Sequence, residues 1–321
     1  MKIVVVDPNL APHRERFEAL LPPGSDIGWF AGGAPEAELR DAEVFVGSRF
    51  TAEMAGTAKS LRLVHPAAAG TDRIDLAALA PDVLVANTFH HERSIAEYVV
   101  GAAVMLHRGF LTQDKKLRDG VWATSVYDGS MPQIPTLGEA HVGFVGFGHI
   151  GQFAWKLLRS FGCTAAAVTG SGRVADDAGL QWVGDTSRLD QLMRESDVLV
   201  VSAPLNSHTE GMIGAPQLDA LGPDGVLINV GRGPLIQERA LYDALEGGVI
   251  KAAAIDVWYR YPVDGIGCTP SDLPFEKLPN ILMTPHSSGV TRDTFAGRAG
   301  DVADNIGRLV RGEPLRNLVR G

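Results

Sequence analysis

The segment His141-Val-Gly-Phe-Val-Gly146-Phe-Gly148-His-Ile-Gly151 decides the fold of this chain. Its first five residues predict a buried strand, and a Gly-x-Gly-x-x-Gly pattern then leads into a helical pattern over residues 151–161. Gly146 permits a tight turn, Gly148 lets a pyrophosphate approach the backbone, and Gly151 allows close packing of helix and strand. The phosphates sit over the helix N-terminus. The segment therefore predicts a doubly wound α/β domain that binds a dinucleotide.

Short apolar runs recur on both sides of this segment and alternate with helical patterns. Most of them lack the alternation of a half-exposed strand, so they fit parallel strands buried on both faces. The predicted strands are residues 3–6, 43–47, 61–64, 83–86, 141–145, 164–169, 197–202, 225–230, 252–257 and 281–284. The succession of strand, helix and strand predicts an α/β protein with right-handed crossovers.

Two longer helices are predicted over residues 94–120 and 291–311, and a loop rich in Pro and Gly, 128–138, follows the first. At about 150 residues per domain, a chain of 321 residues forms two domains. We interpret the two helices as bridges between these domains, although ordinary packing would also explain their apolar stripes.

Composition and charge narrow the classes of function. With 29 Lys and Arg against 38 Asp and Glu, the net charge of −9 argues against nucleic-acid binding. Two cysteines are too few for a disulfide framework or a cysteine metal site, so no metal is expected. The first residues lack the apolar core of a signal peptide, and no apolar run is long enough to span a membrane. We expect a cytoplasmic protein.

The strand at 164–169 bears on the choice of cofactor. In an NAD enzyme an acidic residue at this strand tip binds the ribose 2′-hydroxyl, but here the chain reads Thr169-Gly-Ser171-Gly-Arg173. Hydroxyls and a guanidinium suit a 2′-phosphate, so we expect NADP(H) to be preferred over NAD(H). Alternatively, Arg173 points into solvent and Asp176 or Asp177 reaches the ribose.

Further motifs carry a family resemblance over nearly the whole chain. They are Ala68-Ala-Gly-Thr-Asp-Arg-Ile-Asp75, Ser94-Ile-Ala-Glu-Tyr98, Ser202-Ala-Pro204, Asn229-Val-Gly-Arg-Gly233, Ile255-Asp-Val257 and Thr284-Pro-His-Ser-Ser-Gly289. In this order they resemble the D-isomer-specific 2-hydroxyacid dehydrogenase superfamily, including its glyoxylate/hydroxypyruvate reductases.

The resemblance implies two doubly wound parallel-sheet domains. A Rossmann cofactor domain, residues 99–288, is inserted into a smaller flavodoxin-like substrate domain made of residues 1–98 and 289–321. It also implies an active site in the cleft between the domains, a small anionic substrate, and a homodimer formed through the cofactor domains.

The resemblance also assigns roles to single residues. Arg232 is expected to bind the substrate carboxylate and polarise its carbonyl, and His286 to transfer the proton. Ala69, Gly70 and His91 are expected to contact the substrate, whose side chain is selected around His65, Ala67, His90 and His91. Asp256 is expected to orient the nicotinamide amide, unless it is only a strand-end carboxylate. The expected cofactor contacts are Gly146, Gly148, His149, Ile150, Gly151, Thr169, Ser171, Arg173, Ala203, Pro204, Val230 and Asp256.

The chain departs from the family pattern at Tyr261. A Glu that pairs with the catalytic His usually stands there, and a carboxylate favours the protonated imidazole whereas a phenol supplies no charge. Asp264 or Glu276 are candidates to replace it. Formate dehydrogenases also lack this Glu, and formate oxidation needs no proton donor. We therefore expect hydride transfer between NADP(H) or NAD(H) and a small 2-oxo or 2-hydroxy acid. The alternatives are a formate- or phosphite-type dehydrogenase and a dinucleotide-sensing, corepressor-like protein without turnover.

Overall fold

The computed structural model describes residues 1–175, 178–263 and 267–321. The chain divides into two compact units, of which the first comprises residues 1–91 and 290–321 and the second residues 92–289. The helix Glu92–His107 packs in the core of the second unit through Ile95, Ala96, Val99, Ala102, Ala103 and Leu106. The division of the chain into domains at residues 98 and 288 remains a prediction.

The first unit is a six-stranded sheet with helices on both faces. Its strands are β1 (Lys2–Val5), β2 (Asp26–Trp29), β3 (Val44–Val46), β4 (Leu63–His65), β5 (Leu84–Ala86) and β13 (Leu318–Arg320). Its helices are α1 (Arg14–Leu20), α2 (Glu36–Arg40), α3 (Ala52–Thr57) and α10 (Arg292–Arg311). The order is β13-β5-β4-β3-β1-β2, with β13 antiparallel to β5 and the other pairs parallel. The five parallel strands thus have the 2-1-3-4-5 order of flavodoxin-like folds.

The second unit is a seven-stranded, wholly parallel sheet. Its strands are β6 (His141–Val145), β7 (Thr164–Val168), β8 (Trp182–Gly184), β9 (Val198–Val201), β10 (Val226–Asn229), β11 (Ala252–Ile255) and β12 (Ile281–Met283). Its helices are α4 (Glu92–His107), α5 (Phe110–Arg118), α6 (His149–Leu158), α7 (Leu189–Glu195), α8 (Ala215–Leu221) and α9 (Glu238–Glu246). The order β12-β11-β10-β9-β6-β7-β8 extends the Rossmann order by one strand.

Apolar residues on both faces of each strand explain this layering. In β6, Val142 and Phe144 pack against α4 and α6, whereas Val145 faces the core formed with α7, α8 and α9. In the first unit, Val5 packs toward α1 and α10, and Val4 toward the opposite face. The prediction of an α/β fold with two doubly wound sheets is confirmed.

The predicted helix over residues 94–120 is wrong as a single element. It consists of α4 and α5, which are separated at Arg108 and Gly109, and Gly109 has a φ of 69°. Glycine adopts this left-handed conformation without the steric cost of a Cβ, so it ends the helical path. The predicted strands also omit β2, β8 and β13, which are short and lie at the edges of the sheets.

Candidate active site

The glycine loop joins β6 to α6 in the predicted conformation. Gly146 has a φ of 86°, and a Cβ there would lie 2.7 Å from the backbone of Ala203. Gly148 is the N-cap of α6, and a Cβ there would meet no protein atom within 4 Å. The strand end is therefore packed tightly at Gly146, whereas space is left at the helix N-terminus where a pyrophosphate is expected.

A cavity of about 310 Å³ lies beside this loop, within the second unit. Its walls are Val145, Gly146, Phe147, Gly148, Val168, Thr169, Gly170, Arg173, Thr186, Ser202, Ala203, Pro204, Asn206, Thr209 and Met212. Six predicted cofactor contacts are among them: Gly146, Gly148, Thr169, Arg173, Ala203 and Pro204. The others, Ile150, Gly151, Ser171, Val230, Asp256 and His149, do not line this cavity. The cavity and the open helix N-terminus fit a dinucleotide.

Four polar or flexible residues of the cavity wall were not predicted from the sequence: Thr186, Asn206, Thr209 and Met212. Thr186 follows β8, whereas the other three belong to the segment after β9. The only sequence signal was their position after predicted or short strands, because ligands bind at the carboxyl ends of strands in such sheets.

Arg232 lies in a tight turn after β10. Asn229 Nδ2 donates a hydrogen bond to Arg232 O at 3.0 Å, and Asn229 Oδ1 accepts one from Gly231 N at 3.1 Å. A Cβ at Gly233 would lie 2.4 Å from Trp258 O, so the chain needs glycine there. These contacts fix the backbone on both sides of Arg232, and Arg232 Nη1 donates to Gly231 O at 2.8 Å.

Asp256 follows β11, is fully buried, and holds the turn that contains His286. Its Oδ1 accepts from Thr284 Oγ1 at 2.6 Å and from Ser287 N at 2.9 Å. Its Oδ2 accepts from the backbone N of Ser288 at 3.1 Å and also from the Ser288 hydroxyl. His286, exposed and with a φ of 56°, is thereby placed by the carboxylate at the end of the neighbouring strand. The expected contact of Asp256 with a nicotinamide remains a prediction.

Tyr261 lies against His286 through its ring. The two ring centroids are 5.5 Å apart with an interplanar angle of 54°. The Tyr261 hydroxyl accepts a hydrogen bond from Trp258 N at 3.0 Å, and burial raises the pKa of the phenol, so it stays neutral. The phenol therefore contributes ring contact to His286 and carries no charge. Asp264, one candidate for the missing carboxylate, lies outside the described residues. Glu276, the other, is exposed and forms no hydrogen bond or ion pair with the described part of the chain.

Ala69, Gly70 and His91 belong to the first unit, at the carboxyl ends of β4 and β5. Ala69 O accepts a hydrogen bond from Asn87 Nδ2 at 2.7 Å, which ties the loop after β4 to the end of β5. His91 Nδ1 lies 3.1 Å from Arg298 Nη2 and accepts from it, since a guanidinium only donates. Their contact with substrate remains a prediction.

His65 and Ala67 are expected to help select the substrate side chain, and this role remains a prediction. Both are buried in the first unit. His65 Nδ1 lies 3.0 Å from Pro66 O, and its Nε2 lies 2.9 Å from Asn305 Nδ2. Burial lowers the pKa of His65 to about 4, so the ring is neutral and belongs to the core. His90, in contrast, is exposed and pairs with Asp301 at 2.9 Å.

Asp176 and Asp177, the alternative ribose ligands, lie outside the described residues. In the described part of the chain, no helix is both long and apolar enough to cross a membrane.

Sheet order, glycine loop and cavity define a dinucleotide-binding α/β protein of the Rossmann class. Residues 100–288 match the family profile "D-isomer specific 2-hydroxyacid dehydrogenase, NAD binding domain". The chain belongs to this family, which confirms the resemblance and the expectation of an NAD(P)-binding domain.

Individual relatives match most of the chain. It is 30% identical over 332 residues to a D-3-phosphoglycerate dehydrogenase of Methanocaldococcus jannaschii, covering 99% of this chain but only 59% of that protein. It is 30% identical over 296 residues to a formate dehydrogenase of Arabidopsis thaliana, covering 88% of this chain and 74% of the relative. An acyclic imino acid reductase in complex with NADPH and D-Arg has the same fold, with a TM-score of 0.80, 24% identity, and coverage of 99% and 100% of the two chains.

Proposed function

We propose that this protein transfers a hydride between NADP(H) and a small 2-oxo or 2-hydroxy acid. The observation that carries the proposal is the succession of Arg232, Asp256 and His286 after the neighbouring parallel strands β10, β11 and β12. They therefore lie at the same edge of the sheet as the glycine loop. The Tyr261 phenol lies near Arg232 and Asp256 and contacts the His286 ring.

The bound nicotinamide supplies the hydride that reaches carbon 2 of the acid, or accepts it in the reverse direction. Arg232 binds the carboxylate and the 2-oxo oxygen through its planar guanidinium and stabilises the negative charge that develops on that oxygen. His286 gives a proton to this oxygen on reduction and takes it from the hydroxyl on oxidation. Asp256 acts by holding the 284–288 turn, which keeps the imidazole at the sheet edge.

The preference for NADP(H) is supported by the charge of the cavity wall. Among the described residues that line the cavity, Arg173 is the one charged side chain and none is a carboxylate. A carboxylate would repel a 2′-phosphate, whereas a guanidinium forms charge-assisted hydrogen bonds with it.

Oxidation of a small one-centre anion, formate or phosphite, is the second candidate. Tyr261 favours it, because a neutral phenol stands where family members usually have a carboxylate beside the catalytic His. Removal of hydride from formate yields CO₂ and leaves no alkoxide to protonate, so the reaction does not need that carboxylate.

A homodimer formed through the second unit is also proposed. Apolar side chains are exposed on α5, on the segment after it, along α6 and in the turn that follows α6. They are Phe110, Leu117, Val121, Trp122, Val126, Tyr127, Phe153, Leu157 and Phe161. A monomer rarely leaves so many large apolar groups in water. Sedimentation velocity tests this, and a monomer at micromolar concentration would refute it.

The functional proposal is tested by following oxidation of NADPH and of NADH with glyoxylate, pyruvate and hydroxypyruvate, and reduction of both oxidised cofactors with formate and phosphite. We expect turnover of 2-oxo acids with NADPH. Arg232→Ala should lower kcat/KM by about 10²–10³ while NADPH binding is retained. Arg232→Lys keeps the charge but loses the planar guanidinium, so its kcat/KM should lie between those of wild type and Arg232→Ala. Wild-type protein that binds NADPH yet is no more active than Arg232→Ala on any substrate would instead be a dinucleotide-sensing protein.

A further inference from the structure

The carboxyl ends of β7 and β8 form one wall of the cavity. The strands are parallel, with Val168 opposite Gly184, and Thr169 N donates a hydrogen bond to Gly184 O at 2.9 Å. Arg173 lines the cavity from the loop after β7, and Thr186 lines it from the turn after β8. The end of a second strand therefore borders the space next to the guanidinium.

The loop that carries Arg173 is held by its own hydroxyls. Arg173 N donates to Thr169 Oγ1 at 3.2 Å and to Ser171 Oγ at 3.3 Å. Gly172 has a φ of 66°, and a Cβ there would lie 3.3 Å from Asp185 N, so the loop packs against the turn after β8. Thr169 and Ser171 thus shape the backbone from which the guanidinium extends.

The hydroxyl of Thr186 differs from the other threonine hydroxyls of this cavity. Thr209 Oγ1 donates to Pro204 O at 2.7 Å, and Thr169 Oγ1 accepts from Arg173 N. Thr186 Oγ1 has no hydrogen-bond partner among the described residues. Its neighbours are occupied with each other, because the Asp185 carboxylate accepts from Ser187 N at 2.9 Å and from Ser187 Oγ at 2.6 Å. Thr186 is thus exposed to the cavity with donor capacity to spare.

We propose that Thr186 is a specificity-determining residue that binds the 2′-phosphate of NADP(H) together with Arg173. Arg173 supplies the charge and paired N–H donors, Thr186 supplies a hydroxyl from the β8 side, and Thr169 and Ser171 act as positioning residues for Arg173. The inference rests on the proposed NADP(H) preference, and it divides the four polar residues into two that contact the phosphate and two that hold the loop.

The test compares binding of adenosine 2′,5′-bisphosphate and 5′-AMP by isothermal titration calorimetry, since the two probes report the phosphate without any turnover. Thr186→Val is nearly isosteric. It should weaken binding of the bisphosphate about tenfold and leave binding of 5′-AMP unchanged, because a hydrogen bond to a charged group is lost. Thr186→Ser should bind as wild type does. Thr209→Val is the matched control in the same cavity, and it should not discriminate between the probes.

Positioning by Thr169 is tested in the same assay. Thr169→Val should weaken binding of the bisphosphate to otherwise wild-type protein, whereas Thr169→Ser, which keeps the hydroxyl, should bind it as wild type does. In the Arg173→Ala variant, Thr169→Val should cause no further loss of binding. Equal effects in both backgrounds would contradict a role through Arg173.

The outcomes separate this inference from the functional proposal. If wild-type protein binds 5′-AMP as tightly as the bisphosphate, the NADP(H) preference itself is wrong. If it prefers the bisphosphate and Thr186→Val, folded by circular dichroism, keeps that preference, only the role of Thr186 is overturned. An equal loss for both probes would also overturn it, because the effect would not concern the 2′-phosphate.

Discussion

The two sheets of this protein have related architectures but very different carboxyl edges. In the second unit the strand β6 runs into glycines, and a Cβ at Gly148 would meet no protein atom. In the first unit the strand β1 is followed by Asp7, a buried carboxyl group whose pKa is raised by its burial. One edge leaves room for a ligand, and the other buries the chain's own polar groups.

The helix α10 supplies the side chains that occupy the edge of the first unit. Arg298 Nε donates to Phe89 O at 2.8 Å, and Asn305 Nδ2 donates to Arg316 O at 3.0 Å while also contacting His65. Since buried polar groups need partners, these hydrogen bonds stabilise the carboxyl edge of the first sheet. They also hold the imidazole rings of His65 and His91, which contact Asn305 and Arg298. Strand order alone therefore does not create a dinucleotide site, because small residues at the strand end are also needed to leave space for the phosphates.

The largest expected effect comes from adding a methyl group at the open edge. Gly148→Ala should leave the melting temperature close to that of wild type, because the Cβ meets no protein atom, yet weaken NADPH binding at least about 100-fold by filling the phosphate space. Gly146→Ala should instead destabilise the fold by about 2–4 kcal/mol, since its Cβ would clash with Ala203 at a positive φ.

Calorimetry of unfolding and of NADPH binding measures both variants. If Gly148→Ala binds NADPH normally, the cofactor does not approach this edge, and the contrast between the two sheets loses its functional meaning.

A smaller effect is expected when acid lowers the stability of the first unit, where His65 ends the strand β4. The pKa of His65 is about 4 in the folded protein against 6.5 as an ordinary value, so the unfolded chain binds the extra proton first. Stability should therefore be fully present above pH 6.5 and fall as the pH drops toward 4, with a loss of about 2 kcal/mol from this group between pH 7 and pH 5.

Urea unfolding at pH 7 and pH 5 measures this loss for wild type and for His65→Gln. The variant should start less stable and depend less on pH over that interval. An identical pH dependence in both proteins would mean that His65 does not stay neutral in the core.

The smallest expected effect concerns Tyr261. Tyr261→Phe removes one hydrogen bond to Trp258 N and should cost about 1 kcal/mol while the ring contact with His286 remains. Tyr261→Glu should move the alkaline limit of 2-oxo acid reduction to higher pH, because a carboxylate favours the protonated imidazole. The pH–rate profile of kcat/KM is the measurement, and a profile that matches wild type would exclude electrostatic influence of position 261 on His286.

The parts of the fold that are encoded by neighbouring residues were predicted correctly from the sequence. The strand β6 and the glycine loop were predicted residue by residue, because continuous apolar runs and glycine spacing are local signals. The strands β2 and β8 escaped prediction because each combines a Trp with a Gly in a short edge segment rather than an apolar run. The break between α4 and α5 was hidden by a single glycine, which helices often tolerate.

The roles of side chains were harder to predict where partners are distant in the chain. His65 follows an apolar run and resembles a site residue, but its partner Asn305 is 240 positions away. The same holds for Thr186, whose relation to Arg173 depends on the pairing of β7 with β8. Sequence gives the strand ends at which ligands bind, whereas tertiary contacts decide which polar groups there are already occupied.

Asp256 accepts hydrogen bonds from four donors in residues 284–288, and these bonds decide the backbone conformation of His286. His286 is one of three non-glycine residues with a positive φ among those described, a conformation that costs an L-residue free energy. The buried Asp256 carboxylate at the end of β11 stabilises this conformation, because it accepts hydrogen bonds from residues on both sides of His286. His286 is thus the strained residue of the 284–288 turn, and the carboxylate that holds the turn lies on the neighbouring strand end. Loss of Asp256 would let the backbone relax toward the conformation that histidine prefers and carry the imidazole away with it.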